Sequence, residues 1–349
     1  MRYFHNDYNE TCHPAVMSKL LTSTDAQFDG YSMDLACSRA AALIREKCGR
    51  EDVAVHFLVG GTQTNLTVIS AALRPHQGVL SAASGHINVH ETGAIEATGH
   101  KVIQLPALDG KITAAQVEMA VLEQRNSPDA EHIVQPRMVY ISNPTECGTL
   151  YDLSELEALS AVCKTNHLML FIDGARLGYG LAADGYDVTL ADLARLADVF
   201  YIGGTKVGAM FGEAVVIGNA AIAEDFRYVI KQKGAMLAKG WLLGLQFEAL
   251  LENGLYLEIG RHADELAGIL RETLRQLGYP LVFANKTNQV FVTLPNVLLD
   301  ELGKDFTFAV WEKVSPTHTV VRFCTSWATK YEAIDALCNR LRELAMKHA

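Results

Sequence analysis

The chain has 349 residues, 49% of them apolar and 20% charged, which is enough for a substantial core in one large and one smaller domain and too apolar for a mainly disordered chain. A net charge of -10 argues against nucleic acid or an anionic membrane as the main partner, and no apolar run approaches the roughly 20 residues needed to cross a bilayer. Seven scattered cysteines without CxxC spacing, and a Met1–Glu10 segment with no basic head before an apolar run, lead us to expect a cytoplasmic protein with reduced thiols and no signal peptide.

Residues 1–34 are polar, with a helix expected from Pro14 to about Thr22, and read as an arm or lid. Ser38 to Cys48 is a helix closed by Gly49. Val53 to Val59 is a strand, ending in Gly60-Gly61-Thr62-Gln63-Thr64-Asn65 before a helix from Leu66 to Leu73. Free N–H groups, the Thr62 and Thr64 hydroxyls and the helix dipole suit a phosphate there, although many Gly-Gly turns only reverse the chain. Further strands are expected at Gly78–Ala82, Lys101–Leu105, Met138–Ser142, Leu168–Ile172 and Val199–Ile202. They alternate with helices at Glu91–Thr98, Thr113–Arg125, Leu153–Thr165 and Leu190–Leu196. Such alternation predicts an α/β fold with a mainly parallel, doubly wound sheet, to which Glu213–Ile217 adds an antiparallel strand. Residues 35–250 would form this large domain. Residues 251–349, with long helices, strands at Gln289–Leu294 and Val320–Cys324 and a last helix from Glu332 to Met346, would form a small α+β domain.

Ligands of open α/β sheets collect beyond the carboxyl ends of the strands, where Gly61-Thr62, His86, Asn143, Asp173 and Lys206 fall. A lysine there, held among apolar groups and other cations, has a lowered pKa and can form a Schiff base; a surface lysine beside a loop is the plain alternative. Asp173, behind the apolar run Leu168–Ile172, wants a positive partner. It either caps the next helix and pairs with Arg176 or keeps a heterocyclic nitrogen protonated, as pyridoxal phosphate requires. Strands ending in Asp173 and Lys206 are separated by one helix and are expected to be neighbours. His86 could stack on a ring or transfer protons, could serve with His90 and Glu91 as a metal ligand, or could be structural; no third ligand of suitable spacing appears, and no metal is expected.

Taken together, Phe57-Leu58-Val59-Gly60-Gly61-Thr62-Gln63-Thr64-Asn65, Gly85-His86 with Glu91-Thr92-Gly93-Ala94, Asp173-Gly174-Ala175-Arg176, Gly204-Thr205-Lys206 and Val321-Arg322-Phe323-Cys324-Thr325-Ser326-Trp327 are specific. In these motifs the chain resembles the L-threonine aldolase family of fold-type-I pyridoxal-phosphate enzymes, in its aldolase/β-eliminating-lyase group. The resemblance implies that Lys206 carries the cofactor as a Schiff base, Asp173 meets the pyridine nitrogen and His86 stacks on the ring. It also implies that Gly61 and Thr62 hold the phosphate, that Thr205 and Arg176 belong to the cofactor site, and that Arg176 and Arg322 bind the substrate carboxylate. Removal of the β-hydroxyl proton by His86, His132 or a bound water would then expel an aldehyde and leave glycine.

Relatives often carry a serine where this chain has Asn6, so Asn6 is a candidate at the carboxylate. The stretch Ser142–Gly148 differs from the histidine-containing form common in relatives. Family assembly as a homodimer or homotetramer makes Tyr31 and Lys233 candidates for completing a partner's site. The implied activity is retro-aldol cleavage of L-threonine or a related β-hydroxy-α-amino acid. Alternatives left open by the motifs are β-elimination, an aldolase for another β-hydroxy amino acid, and a catalytically silent binding protein on the same fold.

Overall fold

A computed structural model describes residues 1–348 of the chain. After a two-residue strand β1 (Arg2–Tyr3) come the seven strands of the central sheet, β2 (Ala54–Leu58), β3 (Gln77–Ala82), β4 (Val102–Leu105), β5 (Gln135–Ser142), β6 (Met169–Asp173), β7 (Val199–Gly203) and β8 (Glu213–Ile217). Their order is β2-β8-β7-β6-β5-β3-β4. The pairs from β4 through β3, β5 and β6 to β7 are parallel, whereas β8 runs antiparallel to both β2 and β7. Every residue of β3, β7 and β8 is buried, the pattern of strands covered by helices on both faces.

The crossover helices begin where side chains can satisfy their first amides. Thr113 with Gln116, Asp152 with Glu155 and Thr189 with Asp192 form reciprocal caps ahead of Ala114–Asn126, Leu153–Thr165 and Leu190–Leu196. Two expected helices start earlier than periodicity suggests. The first runs Leu35–Cys48, because Asp34 accepts from the Cys37 amide, and the second runs Gly61–Ala72 directly from the glycine turn. The helix expected at Glu91–Thr98 is absent. In its place a short turn at His86–Val89 and a 3-10 turn at Glu96–Thr98 flank Thr92 and Gly93, whose positive φ angles of 52° and 73° break helical geometry.

The C-terminal unit contains β9 (Gln289–Pro295), β10 (Phe306–Thr307), β11 (Ala309–Lys313) and β12 (His318–Cys324), with β11-β12-β9 forming an antiparallel sheet. Helices Leu255–Gln276 and Tyr331–His348 pack on it. The apolar core changes within the first of these: Ile259 and Ala263 belong to the large unit's core, Leu266 and Leu270 to the small one's. The expected boundary at 250/251 therefore precedes the observed change of core, since one continuous helix serves both units. Nor are residues 1–34 a free arm. β1 pairs in parallel with β10, Phe4 is buried in the small core, and helix Pro14–Leu21 packs on Trp241–Leu251 of the large unit.

The contact that aligns β6 with β7 continues past Asp173, where Gly203 donates to the Gly174 carbonyl at 2.9 Å. A methyl group on Gly174 would stand against the Tyr201 carbonyl oxygen of β7. Because backbone cannot swing aside as a side chain does, Gly174→Ala is expected to destabilise the fold by about 1–3 kcal/mol or more, measurable by denaturant unfolding.

Candidate active site

Strand β6 ends in Asp173, and Lys206 follows the end of β7, its parallel neighbour, by three residues. Beyond these ends lies a cavity of about 310 Å³, the lower part of the usual range for small-molecule sites. Gly61, Thr62, His86, Asp173, Arg176, Thr205 and Lys206 all line it. Topology thus gathers residues that are far apart in the sequence, as expected for the carboxyl edge of a parallel sheet.

Lys206 is half-buried where it lines the cavity. Its pKa is lowered from the ordinary value, by desolvation first and then by the Arg176 charge, against the opposing pull of Asp7, Asp173 and Glu213. Asp173 is fixed from three sides. Its Oδ2 accepts from the Tyr140 hydroxyl at 2.5 Å and from Asn65 Nδ2 at 3.2 Å, and its Oδ1 accepts from the Ala175 amide at 2.9 Å. The same Asn65 amide donates at 2.7 Å to Glu91, whose Oε1 also meets His86 Nδ1 at 2.7 Å. One hydrogen-bonded chain therefore joins Asp173 to His86.

Helix Gly61–Ala72 starts without a side-chain cap, and its first internal bond runs from the Thr64 amide to the Gly60 carbonyl. The amides of Gly61 and Thr62 precede that bond and adjoin the cavity, the arrangement that favours an anion. Thr205 donates to Glu213 Oε1 at 2.8 Å. Glu213 also accepts the Gly204 amide at 3.0 Å and, buried at 3% exposure, has its pKa raised to about 8 chiefly by desolvation.

Arg176 does not pair with Asp173, as the capping alternative supposed. Its Nε and Nη2 donate to the two oxygens of Asp7 at 2.7 and 2.9 Å, and Asn288 Nδ2 adds a third donor to that carboxylate at 2.9 Å. Asp7 is fully buried, which by itself raises a carboxyl pKa; Arg176, Lys206 and the hydrogen bonds outweigh this and hold it at about 2. Arg322 lies off the cavity wall. It donates to Gln289 Oε1 at 3.1 Å and to the His5 carbonyl at 3.2 Å, stands 6.0 Å from the Trp311 ring centroid, and leaves Nε buried without a partner.

The remaining candidates lie elsewhere. Asn6 turns its side chain to the Tyr8 amide at 3.0 Å and does not line the cavity; the neighbouring Asp7 and Tyr8 reach the site instead. His132 cannot act there. It sits exposed in a 3-10 turn before β5, and the eight residues of Gln135–Ser142, rising about 3.3 Å from one to the next, put roughly 23 Å of strand between that end and the cavity. Tyr31 and Lys233 are outside their own chain's cavity, Tyr31 lining a separate hollow of about 250 Å³ with Arg227 and Met236. Asp7 and Glu146 had no warning in a local motif. A carboxylate inside apolar sequence is a hint for Glu213 alone, at the head of Ala214–Ile217. Among the described residues no group of three or more His, Cys, Asp or Glu is placed to hold a metal ion, and no helix is long and apolar enough to cross a membrane.

A mainly parallel sheet with an antiparallel C-terminal sheet and a lysine-aspartate cavity defines a fold-type-I enzyme architecture. The β-eliminating lyase family profile matches residues 11–296, and the chain belongs to that family. Among its relatives, the low-specificity L-threonine aldolase of Pseudomonas sp. is 31% identical across 99% of this chain and 96% of that protein. The structure of Leishmania major threonine aldolase superposes with a TM-score of 0.97 at 46% identity, covering 99% of this chain and all of the other. Aspartate aminotransferase of Thermus thermophilus, at 16% identity, 98% and 91% coverage and a TM-score of 0.71, shares the fold alone.

Proposed function

We propose that the chain is a pyridoxal-phosphate-dependent aldolase that cleaves L-threonine or a related β-hydroxy-α-amino acid into glycine and an aldehyde. The observation that carries this reading is the convergence of Lys206 and Asp173 on one cavity that is also lined by the uncapped helix start at Gly61 and Thr62. The named activities of the Pseudomonas and Leishmania relatives support it.

The residues present suit the cofactor. Gly61 and Thr62 amides are donors for its phosphate, with Thr205 beside them on the cavity wall; Asp173 supplies a fixed carboxylate for its ring nitrogen; His86 forms part of the wall; Lys206 is the amine for covalent attachment. When bound, pyridoxal phosphate supplies an electron sink for the bond broken at the substrate's α-carbon. The chain's own part is to hold the substrate so that the Cα–Cβ bond is the one broken. Arg176 lines the cavity but is paired with Asp7, whereas Arg322 stands behind the cavity wall with neutral partners; the two arginines together are the candidates for the substrate carboxylate. Asp173→Asn, which keeps an oxygen for Tyr140 but loses the charge, is expected to lower kcat by on the order of 10²–10³-fold in steady-state kinetics.

Incubation with L-threonine tests the reading: glycine and acetaldehyde in equal amounts support it, and ammonia with a keto acid would assign the chain to β-elimination. Assembly as a homodimer or homotetramer, with Tyr31 and Lys233 reaching a partner's site, belongs to the same proposal. An active monomer in a sizing experiment would remove it.

A further inference from the structure

Cleavage of a β-hydroxy amino acid requires an acceptor for the hydroxyl proton, and His132 is remote from the cavity. We propose that Glu146 is that acceptor, an inference that rests on the aldolase reading. Glu146 lines the cavity with Lys206 and His86, and it is 9% exposed. Its loop is pinned on both sides. Asn143 Nδ2 donates to the Tyr186 hydroxyl at 2.8 Å, Thr145 and Thr149 hydroxyls meet at 2.6 Å, and Asn285 Nδ2 donates to the Cys147 carbonyl at 2.9 Å. The carboxylate is therefore presented by a fixed backbone rather than a mobile one.

Both hydrogen bonds that other residues make to this carboxylate fall on Oε1, from Ser142 Oγ at 2.6 Å and from the His86 amide at 2.9 Å. Oε2 is left as the oxygen for a ligand. His86 is less suited to the same task because its Nδ1 is committed to Glu91 and the ring adjoins the position expected for the cofactor. The charged and titratable groups around Glu146 are Asp173 on β6, Tyr140 on β5, His86 at the start of its short turn, and Cys147 and Tyr151 behind the loop. Desolvation first, and then Asp173, raise the Glu146 pKa above the ordinary 4.5, against the hydrogen bond from Ser142 and the attraction of His86. A raised pKa makes a carboxylate a stronger base nearer neutral pH.

The step balances within the substrate and this residue. The β-hydroxyl proton passes to Glu146 as the O–H electron pair becomes the second C–O bond of the aldehyde, and the Cα–Cβ pair remains with the glycine fragment's α-carbon. Exchange of glycine's own α-proton involves no β-hydroxyl and does not need Glu146.

The test compares cofactor-loaded wild type, Glu146→Gln and Glu146→Asp for L-threonine cleavage, for α-proton exchange of glycine in deuterated water and for the pH profile of kcat/KM, with thermal unfolding of the unloaded proteins alongside. Glu146→Gln is expected to cleave on the order of 10²–10⁴-fold more slowly while exchanging glycine protons near the wild-type rate. It should also lose the acidic limb of the profile. Glu146→Asp should keep that limb and an intermediate rate. Cleavage by Glu146→Gln near the wild-type rate, or a parallel loss of cleavage and exchange in both variants, overturns the assignment. If wild type exchanges glycine protons but gives no acetaldehyde from L-threonine, the aldolase reading falls, and the assignment falls with it.

Discussion

Lys206→Ala is expected to lower L-threonine turnover by on the order of 10⁴-fold or more while leaving a folded protein. Lys206 is the amine lining the cavity beside Asp173, and desolvation together with Arg176 lowers its pKa, which increases the neutral fraction able to attack a carbonyl. Lys206→Arg separates this chemistry from simple charge. Arginine keeps a cation among Asp7, Asp173 and Glu213 but cannot lose its proton. It should therefore retain more stability than the alanine variant and be equally inactive. Kinetics, cofactor absorption and thermal unfolding of both variants check the prediction; a Lys206→Arg protein that cleaves at an appreciable rate would make Lys206 an electrostatic residue only.

The largest stability loss is expected from Asp7→Ala. Arg176 would then keep a guanidinium at 11% side-chain exposure without its carboxylate, and leaving one partner of a buried pair uncompensated costs about 3–5 kcal/mol. Asp7→Asn combined with Arg176→Gln should cost less than the two single changes added together, because neither charge is then stranded. The sign of the pH effect follows from the depressed pKa. Asp7 contributes fully above the ordinary value of 3.8, and that contribution is lost as pH falls through about 2. The contribution is on the order of 2–3 kcal/mol. Urea unfolding of wild type between pH 5 and pH 2 should show this decline, and the Asp7→Ala variant should show a shallower one.

Local sequence was informative where local forces decide the outcome. Leu153–Thr165, Leu190–Leu196 and Glu213–Ile217 were bounded correctly, the helices by periodicity and capping residues and the strand by its apolar run. The adjacency of the Asp173 and Lys206 strands followed from a short crossover, and the antiparallel β8 from the brief turn before it. Long-range pairing left no such trace. Arg176 and Asp7 are 169 positions apart, so the nearer Asp173 looked like the natural partner. Glu146 sits in a polar loop whose composition reads as a turn; only the ring of surrounding elements makes it buried. His132 rested on the family resemblance alone, and one strand's length puts it at the other end of the sheet from its own chain's cavity.

The pairing of β1 with β10 also bears on how the protein is made. Phe4 donates to the Thr307 carbonyl, and its own carbonyl receives the Cys324 amide, while Asp7 takes Asn288 as a partner. Synthesis proceeds from the N-terminus, so the first residues to leave the ribosome are among the last to find their places. The large sheet can assemble while Asp7 and Tyr8 wait for the C-terminal unit. Until then Arg176 lacks its carboxylate, and a nascent chain would hold an open, electrostatically unbalanced site, completed only when the two ends of the polypeptide are joined.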